Sequence, residues 1–267
     1  MINEKQLEAF DRDGAVTIDG PFSGEQIAAA ADCVDQLLDR CRRDGGPDLG
    51  YRLQRTADFH DPELLDIIQH PALEQIAQKA LRADEANFFT AAIAKTYPEP
   101  GKSFSFWEHV DIKYRTCDID ASPRRMICSI LLWLTDVTMD RAPMMYRPGS
   151  FRVLAKHMDK NPQYIDNPQA FHDLPHLNYG NPHALLAKAG QITVCTTANI
   201  HGASVNIGTL DRKVIFMPFI PKGYPIRANM AIMDKMLKWH DELRPLLRPE
   251  RRHILPELTL EAYAGAR

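Results

Sequence analysis

Two hydrophobic periods divide the chain near residue 86. Before it, apolar positions recur at helical spacing. Ile27, Ala30, Ala31, Val34, Leu37 and Leu38 keep to one stripe of a helix predicted over 24–42, and "FSGEQ" supplies a Ser-x-x-Gln start. Residues 4–12 are predicted as a shorter helix, "GAVTIDG" as a strand between glycines, and 62–82 as two short helices joined near Pro71. From residue 87 the texture changes to short β-branched or aromatic runs: "NFFTAAIAKTY", "MICSILLWL", "QITVCTTANIH" and "RKVIFMPF". Strands without regular helices between them predict a sandwich or barrel. Residues 156–188 hold four prolines, four histidines and little periodicity, and are expected to form a long irregular insertion of the lid type. "NMAIMDKMLKWHDELRPLLR" predicts a helix ending near Pro245.

One domain accounts for this pattern: a mainly helical flank (1–85), a β core (86–222) carrying a lid-like insertion (151–188), and a C-terminal helical segment (223–267). Apolar residues at 45% and charged residues at 25% are the balance of an ordinary globular protein. A net charge of -3 gives no electrostatic case for nucleic acid. No apolar run approaches the roughly 18 residues of a membrane span. The charged start "MINEKQLEAFDRDG" and five cysteines without a CxxC spacing lead to the expectation of a cytoplasmic protein with reduced thiols. Nothing in the pattern specifies an oligomeric state.

Candidate chemistry begins at "WEHVDIKY", residues 107–114, where a strand would turn His109 and Asp111 to one face. An imidazole and a carboxylate suit a divalent metal but are only two ligands, and about one such HxD is expected by chance. His157-Met158-Asp159 is indeed a second, in a segment expected to be a Lys-rich loop. The third ligand expected is His201. Read as one strand, Thr193, Cys195, Thr197, Asn199 and His201 share the more polar phase. Arg212 follows, in phase with Val214 and Phe216 of an apolar strand. A guanidinium directed into a β core needs a partner. Asp211, Asp136 or the carboxylate of a bound small molecule would serve. Two His and one carboxylate form the facial triad of non-haem iron(II) sites, whose open positions suit oxygen and a 2-oxo acid.

These blocks resemble the phytanoyl-CoA dioxygenase family of iron(II)- and 2-oxoglutarate-dependent oxygenases over most of the chain. "LEAFDRDGAVTIDGPFSGEQIAAA", "AKTYPEPGKSFSFWEHVD", "LLWLTDVTMDRAPMMYRPGSF" and "AKAGQITVCTTANIHGASVN", with Arg212 eleven residues after His201, stand in the family's order. The resemblance implies a double-stranded β-helix (jelly-roll, cupin-like) packed by N- and C-terminal helices. It implies Fe(II) on His109, Asp111 and His201, and the 2-oxoglutarate C5 carboxylate on Arg212, with O2 as the other reactant. Lys95 and Ser204 become candidate supports for cosubstrate or substrate. The chain departs from the family in "DRAP", in Phe151 after Pro148-Gly149-Ser150, and in Ala203 two residues after the distal His.

The expected function is hydroxylation of an unactivated C–H in a small-molecule substrate, a metabolite or natural-product intermediate, with release of succinate and CO2. A basic cluster at Lys113, Arg115, Arg124 and Arg125 tilts the expectation toward an anionic substrate, against the alternative of a solvated loop. The rivals are an iron enzyme of the same fold performing desaturation, epimerisation or cyclisation, and a non-catalytic protein holding metal or a small acid. His172 and His176 have helical zinc spacing, but Pro175 argues against that helix. Trp107 and Trp133 are read as core rather than as a substrate platform.

Overall fold

A computed structural model describes residues 1–43, 52–56, 59–164, 174–224 and 230–257. Helix α1 (Glu4–Asp13) starts at Asn3, whose side chain caps Gln6 in a reciprocal capping box, and stops at Gly14, where φ is +76°. Strand β1 (Ala15–Asp19) follows, then α2 (Gly24–Arg43), β2 (Arg52–Thr56), α3 (Pro62–Ile68) and α4 (Pro71–Leu81). The second half supplies β3 (Ala86–Phe88), β4 (Ala92–Thr96), the single turn α5 (Thr116–Ile119), β5 (Cys128–Trp133), β6 (Met144–Tyr146) and α6 (Ser150–Lys160). It ends with β7 (His183–Leu185), β8 (Gln191–Cys195), β9 (His201–Ala203), β10 (Arg212–Pro221) and α7 (Met230–Leu243).

Among the described residues, ten strands make two antiparallel sheets: a large one in the order β1-β8-β5-β10-β4-β2, with β3 also on β10, and a small one in the order β7-β6-β9. Alternation decides what each face does. Ile130, Leu132, Ile192, Val194, Ile215 and Met217 point outward into a core shared with the helices through Phe10, Val34, Leu37, Leu73, Ile76 and Leu243. The intervening Leu131, Trp133, Val214 and Cys195 point inward and meet Met144 and Leu185 of the small sheet. Two facing antiparallel sheets wrapped by helices are the double-stranded β-helix expected.

Two expectations are corrected. The lid-like insertion is shorter than 151–188, because its first third is α6, with Phe151, Leu154, Ala155 and Met158 buried at i, i+3, i+4 and i+7. Its last residues form β7 and a bridge from Ala187 to Val137. His157 and Asp159 therefore sit on a helix, not in a loop. The strand read through His201 is also broken: β8 ends at Cys195, and a turn closed by Asn199 N–H to Thr196 O (3.2 Å) passes the chain to the other sheet. His172 lies outside the described residues. No described helix is long and apolar enough to cross a membrane.

Candidate metal centre and its cavity

His109 and His201 face each other across an antiparallel bridge, each N–H donating to the other's carbonyl at 2.9 Å. Paired residues share a face, so both rings lie together, with centroids 4.4 Å apart. Asp111 has left that ladder; its N–H donates to Thr197 O at 3.0 Å, which folds the carboxylate back toward the rings. His109 Nε2 is 3.2 Å from Asp111 Oδ1, and His201 Nε2 is 3.7 Å from Asp111 Oδ2. One ligand atom from each of the three residues lies within 4.8 Å of the others. His201 Nδ1 sits 2.8 Å from Asn199 O, so the tautomer with the proton on Nδ1 leaves the Nε2 lone pair for a metal.

Several supports hold this arrangement. Gly202 is needed because a Cβ there would lie 1.6 Å from Trp107 O, so the HxD segment crosses directly over it. Glu108, between Trp107 and His109, accepts two hydrogen bonds from Arg147, at 2.6 and 3.0 Å, and Arg147 also donates to Gly180 O. On the other side, Asn199 Nδ2 donates to Asp13 O (2.9 Å), Ser150 Oγ donates to Asn199 Oδ1 (3.1 Å), and Ile200 N–H donates to Ser150 Oγ (2.8 Å). The end of α1, the Pro148-Gly149-Ser150 turn and the His201 approach are thus tied at one point. Sequence reasoning missed Asn199 and Ser150 as braces. Their signal was a pair of short polar residues beside glycines, which alone reads only as turn formation.

A small cavity, partly open to solvent, lies beside the cluster. Asp111, His201 and Tyr146 line it, with Ala15, Ser129 and Cys195 at one end and Leu131, Phe216 and Met144 further in. Burial pushes the Cys195 thiol far up, beyond what its neighbours Cys128 and Asp111 add, so it stays protonated at neutral pH. Arg212 shares the inward phase but lies two levels beyond Phe216, past Val214 and its cross-strand neighbours Trp133 and Ala94. Its guanidinium is 1% exposed, donates to Ala142 O and Thr96 Oγ1 at 2.9 Å each, and lies 5.7 Å from the Trp133 ring centroid. Asp211 and Asp136, the acids considered for it, meet Lys95 and Lys188.

The donor set of two imidazoles and a carboxylate fits Fe(II), with Asp111 49% exposed on the open side. Arg212, the residue expected to meet the far carboxylate of 2-oxoglutarate, is buried with its guanidinium over the Trp133 ring.

Other expected residues do not join the site. Lys95 is on the outer face, 2.7 Å from Asp35 and 3.0 Å from Asp211, because alternation on β4 sends Ala94 and Thr96 inward instead. Burial works against charge on Asp35, but hydrogen bonds from Lys213 and Lys95 outweigh it and hold that carboxyl below its usual range. Ser204 falls in the opposite phase to His201 and donates to Pro143 O at 2.7 Å; Ala203 takes the inward position opposite Met144. The basic cluster is largely consumed by internal acids: Arg115 meets Asp159, Arg124 meets Asp11 and Arg125 meets Asp118. Trp133 is core, as read, but Trp107 is 77% exposed.

With this geometry in hand, the likenesses to known proteins are specific. The family profile described as phytanoyl-CoA dioxygenase (PhyH) matches residues 10–214. Ectoine dioxygenase of Bordetella parapertussis is 25% identical over 239 residues, covering 82% of this chain and 75% of its own. HygX of Streptomyces hygroscopicus, solved with nickel and 2-oxoglutarate, superposes with a TM-score of 0.59 at 13% identity, over 83% of this chain and 88% of that one. SnoN, a non-haem α-ketoglutarate-dependent epimerase of nogalamycin biosynthesis, gives 0.59 at 14% identity, over 82% of each chain. At these identities the two structures speak to the fold alone.

Proposed function

We propose a reaction for this chain, which belongs to the phytanoyl-CoA dioxygenase family of Fe(II)- and 2-oxoglutarate-dependent oxygenases: hydroxylation of an unactivated C–H in a small molecule. The observation that carries it is the convergence of His109, Asp111 and His201 beside a cavity with an apolar inner wall. Bound iron, 2-oxoglutarate and O2 would supply the oxidising chemistry and leave succinate and CO2. The chain's own part is positioning. Asn199 O sets the His201 ring, and the Thr197 carbonyl sets the backbone of Asp111. The exposed side of Asp111 leaves the cluster open toward the cavity. Arg212 would hold the far carboxylate, where burial strengthens a charge-assisted bond. The apolar inner wall of Leu131, Met144 and Phe216 keeps water from the reacting carbon.

One observation favours a second reading. Arg212 is buried, with donors already on Ala142 O and Thr96 Oγ1, as it would be in a chain that binds metal but admits no 2-oxoglutarate. Epimerisation, desaturation or cyclisation would use the same first residues, and product analysis separates them. The deciding test is anaerobic addition of Fe(II) and then 2-oxoglutarate, with the weak visible charge-transfer band of the chelate as readout. A band that His109→Ala abolishes and that needs roughly 10- to 100-fold more 2-oxoglutarate in Arg212→Ala is expected. No band from folded, metal-bound wild type would establish the non-catalytic reading.

A further inference from the structure

Ser129 is the one polar side chain that β5 turns toward the cavity. The strand reads Cys-Ser-Ile-Leu-Leu-Trp and is buried throughout; Ser129, Leu131 and Trp133 face inward. Ser129 is 2% exposed and lines the cavity, yet its Oγ makes no hydrogen bond to any described residue. An unsatisfied buried hydroxyl is costly, and alanine would fill the same place without that cost. Its cross-strand neighbour Cys195 is a weak partner, flanked in turn by Ala15.

The rest of this end of the cavity is equally specific. Tyr146 lies in register opposite His201 and lines the cavity from the small sheet. Burial raises its phenol, so it remains a neutral donor at physiological pH. Among the described lining residues there is neither Lys nor Arg, and the carboxylate there, Asp111, belongs to the metal cluster. Asp111 and the 2-oxoglutarate dianion would already offset the charge of a bound Fe(II). A carboxylate or phosphate brought to Ser129 would therefore be desolvated with no cationic side chain among the described lining residues to pair with it, which is costly. Ser129 and Arg212 are three inward levels apart along the large sheet, roughly 20 Å at about 3.4 Å per residue. The serine is therefore at the opposite end of the barrel from the expected cosubstrate anchor.

We infer that Ser129 is the hydrogen-bonding anchor for the primary substrate, and that the substrate presents a neutral hydroxyl or amide to it while its apolar body packs on Leu131 and Phe216. This rests on the cavity being the iron and 2-oxoglutarate site proposed above. It replaces the anionic substrate suggested by the basic cluster.

The test uses the Zn(II)- and 2-oxoglutarate-loaded 267-residue chain with cyclohexanol and cyclohexanecarboxylate as probes, followed by saturation-transfer NMR. Wild type binds the alcohol at least about fivefold more tightly than the acid, and Ser129→Ala loses about five- to tenfold for the alcohol. Tyr146→Phe, which removes only the facing hydroxyl, loses less. The 2-oxoglutarate affinity of Ser129→Ala, read from the anaerobic Fe(II) band, changes less than about twofold. Any of four results overturns the inference: no alcohol binding, acid binding as tight as alcohol, an unchanged Ser129→Ala (a hydroxyl satisfied by water), or a loss of 2-oxoglutarate affinity in that variant (a cosubstrate residue). A missing band in wild type with intact, serine-dependent alcohol binding would instead strike the oxygenase reading alone.

Discussion

The chain holds two HxD triplets, and their fates differ completely. His109-Val110-Asp111 ends in a cluster with His201, whereas His157-Met158-Asp159 lies in the last turns of α6. On a helix, residues two apart point to different sides, so His157 and Asp159 do not share a ligand. Asp159 instead accepts from Thr116 N–H at 3.2 Å and meets Arg115 at 3.4 Å, docking the α5 turn onto α6. Near the β-sheet edge, a backbone pair to β9 delivers the second imidazole and the Thr197 carbonyl turns the carboxylate inward. The same triplet spells part of a candidate metal cluster or a docking contact according to what the fold sets opposite it.

The comparison breaks most visibly at Asp111. Asp111→Ala should lower Fe(II)-dependent succinate release by more than about a hundredfold, since loss of an outer-shell partner alone costs 10–100-fold. Metal binding measured by competition with a chelator should fall alongside it. Gly202→Ala comes next: its methyl would overlap the Trp107 carbonyl. It is expected to cost about 1–3 kcal/mol in urea unfolding and to weaken metal binding without touching a ligand. A Gly202→Ala protein with wild-type metal affinity would show that the HxD segment is not held by that crossing.

Smaller effects test the other triplet. Hydrogen bonding from Thr116 first, and the Arg115 charge after it, hold the Asp159 carboxyl below its ordinary value. A depressed folded value contributes stability above the unfolded carboxylate range and loses it as pH falls through the folded value. Asp159→Asn should therefore lower Tm at pH 7 by no more than roughly 2–4 °C, and the difference should vanish in acid. His157→Ala should leave succinate release within about twofold of wild type. Loss of turnover there as complete as in Asp111→Ala would mean that the two triplets had been assigned the wrong way round.

Much of this was legible in the residue order. The stripe in α2, the short strands after residue 86 and the inward phase of Arg212, Val214 and Phe216 follow from local periodicity, which depends on backbone geometry alone. The helix at Ser150–Lys160 was hidden because prolines and histidines just beyond it mask a four-residue apolar stripe. Lys95 and Ser204 were misplaced for a different reason. Each lies beside a residue that does face inward, and a one-residue difference in phase exchanges the two faces of a strand.

By itself the sequence determined which side chains were available for chemistry and the alternation that sorts most of them by face. The three residues that converge at the cluster and the family were within its reach. Tertiary structure alone decided the rest. It chose between two HxD triplets by bringing His201 across from β9, spent the basic cluster on Asp11, Asp118 and Asp159, and sent Lys95 to Asp35. It also left the Ser129 hydroxyl facing a cavity with no partner among the described residues. These outcomes depend on contacts between residues far apart in the chain, whose geometry no local spacing contains.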